Sequence, residues 1–314
     1  MASKHSRIVE RAMTRLKLRQ LRLLVAVGQH GNIQSAAREL GISQPAATKM
    51  IQDLELDFEV KLFQRTNRGV IPTIFGDALI RHGKLIFSQV SNAAQEIDDL
   101  NEGNSGRLVI GTLLAASSHL LPMATDILLT ERPKVAIKIV EGTNEILMPA
   151  LLSGEIDMVL GRLPTHRHRT KIVQEKFYTE EILAIVGRQH PLAGRPSVQF
   201  EQTKPFGWIL SPIETTLRRQ IDQFFVREDY VPQSILIESV SYLTNRALLL
   251  KRDLIGFMPA HVAALDIQSG LLAQIDWKVP FGAGQIGVSH RGVHSLSPAG
   301  VAFLKALKQA ASVI

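Results

Sequence analysis

The chain has 314 residues, of which 45% are hydrophobic and 21% charged, and it contains no cysteine. These values are typical of a globular protein of about two domains. The lack of cysteine excludes disulfides, thiolate metal ligands and a thiol nucleophile, and it fits the reducing cytoplasm. The net charge is +7, and residues 1–73 hold 12 Lys and Arg against 6 Asp and Glu. A positive excess that is densest at one end of the chain indicates a polyanion partner.

Neither a secretory signal nor a membrane span is predicted. The N-terminal segment is basic but has no continuous apolar run, which a signal peptide requires. A hydrophobic stretch begins at Leu108 (LVIGTLLAASSHLLPMATDILL), but Gly111, Pro122 and Asp126 interrupt it within the about 20 residues that a span needs. This stretch predicts a buried strand, a loop and a helix, and no membrane association is expected.

Three short helices are predicted near the start of the chain. The first has leucines at helical spacing and is expected to end at Gly28 and Gly31. Asn32 is a good N-cap for the second helix, and Gly41 supplies the left-handed turn that ends it. Ser43 is expected to cap the third helix.

The third predicted helix has two unlike faces. Its proline lies in the first turn, where the amide hydrogens have no intrahelical partner, so it costs little stability there. The spacing over residues 33–52 is that of a helix-turn-helix, whose second helix projects into a major groove; a plain three-helix packing unit is the alternative. The inward face holds Ala47, Met50, Ile51 and Leu54, and the free face holds Pro45, Thr48, Lys49 and Gln52.

A basic hairpin and a long helix are predicted next. The segment LFQRTNRGVIPT places Arg65 and Arg68 in a polar turn, and such a wing would contact phosphate or the minor groove. Residues 74–102 predict one helix of about 29 residues. Its apolar residues recur every seven positions, which indicates a coiled-coil dimer seam; an amphipathic helix packed on its own chain is the alternative. The seam residues are Leu79, Ile86, Ala93 and Leu100, with Val90 and Ile97 between them.

Beyond the linker NEGNSG (residues 101–106), predicted strands alternate with predicted helices. The alternation indicates an α/β domain with mainly parallel strands, arranged as one domain or as two lobes. The predicted strands are RLVIG, VAIKIVEG, IDMVLGR, EILAIVG, FGWIL and SILIE, and the predicted helices lie near 117–131, 144–153, 214–228 and 239–250.

Polar side chains follow four of these predicted strands. Ligands of open α/β sheets bind beyond the carboxyl ends of the strands, where helix N-termini favour anions and Arg162 would add a fixed cation. A small polar or carboxylated ligand is therefore predicted. Each hydroxyl could instead cap a helix, and Arg162 could instead form a structural ion pair. The candidate ligand-binding residues are Thr112, Ser117, Ser118, Thr143, Arg162, Ser211, Pro212, Thr215 and Thr216.

Three other motifs lack the context that their chemistry requires. GAGQIG (282–287) matches the dinucleotide fingerprint, but a predicted strand follows it and no Asp or Glu occurs after Gly282. HRHR (166–169) has no accompanying carboxylate or cysteine, and it predicts a solvated basic loop rather than a metal site. Asp98 and Asp99 lie on the predicted long helix, which has no pocket. No catalytic residue, metal or cofactor is expected, and the chain is predicted not to be an enzyme.

Two groups of motifs together cover nearly the whole chain. The first comprises LRQLRLLVAVGQHGNIQSAARELGISQPAATKMIQDLE and LFQRTNRGVIPTIFG, in which SQPA is specific, and the second comprises RLVIGT, EGT, LLSGEIDMVLGRLP and HPLA. Together they resemble the LysR-type transcriptional regulators. The resemblance implies a winged helix-turn-helix, a linker helix and a two-lobed, periplasmic-binding-protein-like effector domain. The implied domains are residues 1–73, 74–106 and 107–314, with lobe I at 107–178 and 282–314 and lobe II at 179–281.

The resemblance also implies partners: double-stranded DNA, a small inducer in the cleft between the lobes, RNA polymerase, and further copies of the chain, as a linker-helix dimer or a tetramer. Asn32 stands where the family often has serine, and residues 1–15 extend further than usual, with no role assigned beyond added phosphate contact. A cytoplasmic binding protein or enzyme with an oligomerising N-terminus is the alternative function. The DNA contacts implied by position are Gln34, Ser35, Ser43, Gln44, Pro45, Ala46, Thr48, Lys49, Gln52, Arg65 and Arg68.

Overall fold

The computed structural model describes residues 4–67, 69–102, 105–164, 172–232, 236–282 and 284–314. The chain forms two compact units, Met1–Ser91 with Ser153–Glu155, and Asn92–Leu152 with Ile156–Ile314. No helix within the described ranges has an apolar run long enough to cross a membrane.

The first unit is helical and carries one antiparallel hairpin. Asn32 caps the second predicted helix, because its Oδ1 accepts hydrogen bonds from the amides of Gln34 and Ser35 at 2.8 and 3.1 Å. Ser43 caps the third, accepting from the amide of Ala46 at 3.4 Å. An additional helix, which the sequence pattern did not predict, precedes these three. The elements are α1 (Lys4–Arg15), α2 (Leu18–His30), α3 (Ile33–Glu39), α4 (Gln44–Phe58), β1 (Phe63–Thr66) and β2 (Gly69–Pro72).

Two of the predicted helix ends are confirmed and one is wrong. Gly31 ends α2 with a φ of 61°, and Gly41 follows α3 with a φ of 62°. Gly28 does not end α2 but lies inside it. A Cβ at this position would come 2.6 Å from Cδ1 of Ile80, which belongs to the long helix α5 (Ile74–Glu102). Glycine at position 28 therefore allows α5 to approach α2 closely.

The helix α5 is continuous over 29 residues, as the sequence predicts. Leu79 packs against the core formed by α2, α3 and α4, so it belongs to that core rather than to an exposed seam. The later seam residues have little cover within the chain: Ile86 is 37% exposed, Val90 52% and Ile97 58%. Ala93 is also exposed, whereas the side chain of Leu100 lies outside the described part of the structure.

The second unit contains two five-stranded sheets, each covered by helices on both faces. Its first part comprises β3 (Ser105–Thr112), α6 (Leu114–Ser117), α7 (Leu120–Glu131), β4 (Lys134–Glu141), α8 (Asn144–Ser153), β5 (Met158–Arg162) and β6 (Val173–Glu180). The middle comprises β7 (Ile182–Gly187), α9 (Phe200–Thr203), β8 (Gly207–Leu210), α10 (Thr216–Arg227), β9 (Leu236–Glu238), α11 (Tyr242–Leu249), β10 (Leu254–Pro259), α12 (Ala260–Gln268) and β11 (Leu272–Gln274). The last part comprises β12 (Gly284–His290) and α13 (Pro298–Ala311).

Each sheet has four strands that run in one direction, as predicted, and one strand antiparallel to them, which was not predicted. The first sheet has the order β4-β3-β5-β12-β6, and the second has the order β11-β7-β10-β8-β9. In the first sheet β3 pairs parallel with β4 and β5, but β12 runs antiparallel to both of its neighbours. In the second, β8 pairs parallel with β9 and β10, but β7 runs antiparallel to both of its neighbours. The antiparallel strands β7 and β12 are those that follow the passage of the chain from one sheet to the other.

The chain passes from the first sheet to the second between Glu180 and Ile182, and it returns between Gln274 and Gly284. Gly282, on the returning segment, has a φ of 97°. A Cβ on this glycine would lie 2.7 Å from Cγ1 of Ile182. The two crossings therefore pack directly against each other.

Candidate functional site

One exposed surface of α4 collects five of the predicted contact residues. The helix turns Ala47, Ile51 and Leu54 into the core, so the residues between them face outward. The sequence analysis did not single out Asp53 and Leu56, which belong to the same surface because they continue the spacing of the exposed face by one turn. The predicted residues on this surface are Gln44, Pro45, Thr48, Lys49 and Gln52.

The remaining predicted contact residues of the first unit lie outside that surface. Gln34 and Ser35 occupy the first turn of α3, where their amides are bound by the Asn32 cap. Ser43 and Ala46 form the capped start of α4, so the Ser43 hydroxyl already has an intramolecular role. Arg65 is exposed on β1, opposite Val70 of β2. Arg68 lies outside the described residues.

The second unit contains a cavity of about 910 Å³ bounded by the carboxyl ends of strands from both sheets. Its lining surface is mostly apolar and includes hydroxyl, amide and charged groups, as expected of a small-molecule site. Pro212 is the predicted residue that is absent from the lining; its carbonyl instead accepts a hydrogen bond from the Thr215 hydroxyl at 2.8 Å. The predicted residues that line the cavity are Thr112, Ser117, Ser118, Thr143, Arg162, Ser211, Thr215 and Thr216.

Some hydroxyls around the cavity already form hydrogen bonds within the protein, whereas one does not among the described groups. Thr215 caps α10 by accepting from the amide of Arg218 at 3.3 Å. Ser117 donates to the carbonyl of Leu114 at 2.8 Å, and Thr112 donates to the carbonyl of Leu113 at 3.2 Å. Thr143, before α8, is buried, and its hydroxyl has no hydrogen-bond partner among the described groups. A buried unpaired hydroxyl costs free energy unless a ligand or water binds it, so Thr143 is the strongest candidate for ligand contact.

Arg162 lines the cavity, but its side chain already makes contacts within the protein. Its guanidinium donates a hydrogen bond to the carbonyl of Gly282 and lies across Gly284, where a Cβ would come 2.5 Å from Cζ. Burial lowers the pKa of Arg162, and the nearby carboxylate of Glu180 opposes that shift. Burial likewise raises the pKa of Glu180 to about 7, against the opposing effects of the His261 amide and the Arg162 charge.

The part of the cavity contributed by β9 and α11 contains no residue predicted from the sequence. Asn245 is buried there, and its Oδ1 has no partner among the described groups. Arg246 Nε lies 2.6 Å from Oδ2 of Asp266, and the hydroxyl of Tyr242 donates to the same carboxylate oxygen. The rule that ligands bind beyond strand ends would have identified this region, because SILIE was predicted to be a strand with a helix after it.

Of the motifs without supporting context, GAGQIG can be placed in part. The second half of GAGQIG opens the strand β12, whereas a dinucleotide fingerprint opens a helix. HRHR lies outside the described residues. Across the part of the chain that is described, no three His, Asp or Glu side chains are grouped so as to hold a metal ion.

Comparisons with known proteins agree with this architecture. Residues 101–312 match the family model described as the LysR substrate binding domain, and residues 18–77 match that of the bacterial regulatory helix-turn-helix protein, lysR family. The chain is 32% identical over 298 residues to the HTH-type transcriptional regulator GbpR of Azospirillum brasilense, covering 94% of this chain and 87% of that relative.

Solved structures share the fold at lower identity. CbnR, a LysR family transcriptional regulator, gives a TM-score of 0.65 at 21% identity over 94% of this chain and 99% of that one. CbnR complexed with its target DNA gives 0.64 at 21% identity over 94% and 100%. Full-length LysG from Corynebacterium glutamicum with bound effector Arg gives 0.65 at 15% identity over 95% and 99%.

Proposed function

This chain belongs to the LysR family of DNA-binding bacterial transcriptional regulators, and we propose that it binds operator DNA through α4 and the β1–β2 hairpin under the control of a small inducer. The observation that carries the DNA-binding proposal is the single exposed surface of α4 that gathers Gln44, Pro45, Thr48, Lys49 and Gln52. Relatives of this chain are named as regulators, and CbnR is named in complex with target DNA.

The α4 surface has the chemistry to read a major groove. Gln44 can pair with adenine through its amide, and the methyl group of Thr48 suits the methyl group of thymine, as does that of Ala46 in the adjacent first turn. Lys49 and Arg65 are exposed cations that would contact phosphates and fix the position of the helix on the duplex. We assign sequence preference to the first group and sequence-independent affinity to the second.

The cavity of the second unit is the proposed inducer site. It offers the unpaired Thr143 hydroxyl and Asn245 amide oxygen, and it is close to the N-termini of α8 and α10. Helix N-termini favour anionic groups, whereas the neutral hydroxyls suit any polar ligand. We therefore propose a small polar or carboxylated inducer. LysG, with the same fold, is named with a bound effector.

Self-association through α5 completes the proposal. Ile86, Val90 and Ile97 are apolar, exposed and spaced as in a helix-packing seam. We propose a dimer through these residues, assembly of dimers into a tetramer, and RNA polymerase as the partner of the DNA-bound form. The corresponding domain limits are residues 1–73 for DNA binding, 74–106 for the linker and 107–314 for the effector domain.

Salt-dependent binding of DNA tests the function directly. A labelled duplex from the region beside the protein's own gene is titrated with the full chain in a gel-shift experiment at 50 and 200 mM salt. A dimer with several phosphate contacts should lose about 10³-fold in affinity between these conditions, because bound cations are released from the duplex. Binding that is absent at low salt, or undiminished at high salt, would contradict the proposed function.

A further inference from the structure

The C-terminal half of α4 is strongly acidic. Asp53, Glu55 and Asp57 lie within the helix, Glu59 is its C-cap, and the last turn has no basic residue. The carbonyl end of a helix already carries partial negative charge, so these carboxylates add to a negative potential rather than offset one. The helix that presents the proposed DNA surface therefore ends in a region that repels phosphate.

The N-terminal helix α1 covers part of this acidic end with cations. Arg11 Nη1 lies 2.9 Å from Oε1 of Glu59, and Arg15 Nη1 lies 3.9 Å from Oδ1 of Asp57. The two arginines are four residues apart, so they project from the same face of α1. The carboxylate of Asp57 is only 13% exposed, while Arg15 is 69% exposed, so the charge presented to solvent at this pair is the positive one.

The other two carboxylates have different surroundings. Glu55 is paired with Lys61 at 2.6 Å and accepts a hydrogen bond from the amide of Leu62 at 2.9 Å, so it anchors the segment before β1. Asp53 lies within the exposed surface that Gln52 also lines. The acidic end is thus continuous with the proposed DNA surface.

The distances involved make this charge relevant to DNA. Asp57 is four residues from Asp53, which is about 6 Å along the helix axis. Charges act over about 10 Å at 0.1 M salt, so phosphates beside the α4 surface would experience the net charge of this end. With Lys61 counted, the four carboxylates give this end a net charge of −3, which Arg11 and Arg15 reduce to −1.

We propose that α1 is a charge cover for DNA binding: Arg11 and Arg15 neutralise two of the four carboxylates at the acidic end of α4 and allow the phosphates of duplex DNA to approach the α4 surface. The proposal rests on the proposed function, and it gives a role to an N-terminal helix that the sequence pattern left without one. The two arginines act as positioning residues, through Asp57 and Glu59, and not through contact with a base.

Rescue by removal of the acids tests the charge cover. Full-length wild type, Arg11→Ala/Arg15→Ala, and the same pair combined with Asp57→Asn/Glu59→Gln are titrated against the labelled duplex by fluorescence anisotropy at several salt concentrations. The double variant should bind about 3- to 10-fold more weakly at 0.1 M salt, with the difference vanishing at high salt. The quadruple variant should return to within about twofold of wild type, because the acids and the arginines are then both absent.

A matched control and a second variant make each outcome decisive. Lys251→Ala/Arg252→Ala removes two exposed cations from the second unit and should leave affinity unchanged. Asp57→Asn/Glu59→Gln alone should bind DNA more tightly than wild type. This variant tests the proposal even if circular dichroism shows that the arginine variant is unfolded. A double variant without loss, a loss that the acid substitutions do not reverse, or no gain from the acid substitutions alone would overturn the charge cover. Failure of wild type to bind DNA would instead refute the proposed function, and the charge cover with it.

Discussion

The guanidinium of Arg162 donates a hydrogen bond to the backbone carbonyl of Gly282, which ties the end of β5 to the segment that returns from the second sheet. The same side chain lines the cavity. A ligand group that binds Arg162 would therefore act on a residue that already holds the connection between the sheets. Arg162 thus connects the cavity directly to the crossings.

Arg162→Ala should affect both roles of this residue. Loss of the donor to the Gly282 carbonyl, with the charge of Glu180 left less compensated, should lower the free energy of unfolding by about 1–3 kcal/mol. More inducer should be needed for response, whereas operator binding without inducer should not change. Denaturant unfolding, inducer titration and gel shift check the three effects, and an unchanged inducer response would remove Arg162 from the ligand site.

Glu180 should make stability depend on pH near neutrality. Burial raises its pKa from 4.5 to about 7, so the folded state holds the proton more tightly than the unfolded state. This contribution to stability is fully present below the unfolded pKa and is lost as pH rises through 7. Between pH 5 and 8, wild type should lose roughly 1–3 kcal/mol more stability than Glu180→Gln.

Unfolding by denaturant at each pH measures that difference. Tyr178, Arg162 and the amide of His261 all face Glu180, so the comparison uses an isosteric amide that leaves them in place. Glu181→Gln changes the neighbouring exposed carboxyl and should show the pH profile of wild type. Parallel profiles for wild type and Glu180→Gln would contradict the raised pKa.

Thr143→Val should separate ligand binding from stability. The Thr143 hydroxyl is buried without a partner among the described groups, so its removal should leave the free energy of unfolding unchanged or slightly higher. Inducer response should weaken, because the ligand loses a hydrogen bond. Thr215→Val is the matched control: it removes the cap of α10 and should cost about 1 kcal/mol of stability. Destabilisation by Thr143→Val would indicate a structural role for that hydroxyl.

Thr48→Ala and Arg65→Ala should change DNA binding in different ways. Thr48 lies on the α4 surface, so its substitution should alter base preference. The discrimination between bases at the affected position should change by about 1–3 kcal/mol. Arg65 is exposed on the hairpin, so its removal should weaken binding to all sequences about equally and reduce the salt slope by about one. Affinity measurements over a panel of operator variants distinguish the two patterns. A change of preference alone with Arg65→Ala would show that the assignment is wrong.

Val90→Glu should disrupt self-association through α5. The valine is 52% exposed between Ile86 and Ile97, and a buried carboxylate in a helix seam is strongly unfavourable. Sedimentation velocity at micromolar concentration should show a shift toward monomer. Glu96→Ala, at an exposed polar position of the same helix, should leave the distribution unchanged. An unaltered distribution for Val90→Glu would exclude this seam as the contact.

The features that sequence predicted best depend on local chemistry. The caps at Asn32 and Ser43, the turn at Gly41 and the inward face of α4 follow from hydrogen bonding and helical period, and the structure has all of them. Gly28 was misplaced because its function depends on Ile80, which is distant in sequence. Spacing along one helix contains no information about a partner helix that packs against it.

The candidate sites follow the same division. Strand ends identified eight of the residues that line the cavity, because β strands with helices after them have a local pattern. The hydrogen bond from Arg162 to the carbonyl of Gly282 could not be predicted, since it depends on the return of the chain from the second sheet. The antiparallel direction of β7 and β12 was missed for a related reason: direction in a sheet depends on the path between sheets and not on the apolar run of each strand.

The packing of Gly282 on Ile182 has a mechanical consequence. The two connections between the sheets lie side by side here, with no room between them for a side chain at position 282. A side chain at position 282 would clash with Ile182, and the φ of 97° at this position is unfavourable for any residue other than glycine. Such a side chain would push the two connections apart. The close approach of the two connections therefore depends on glycine at position 282.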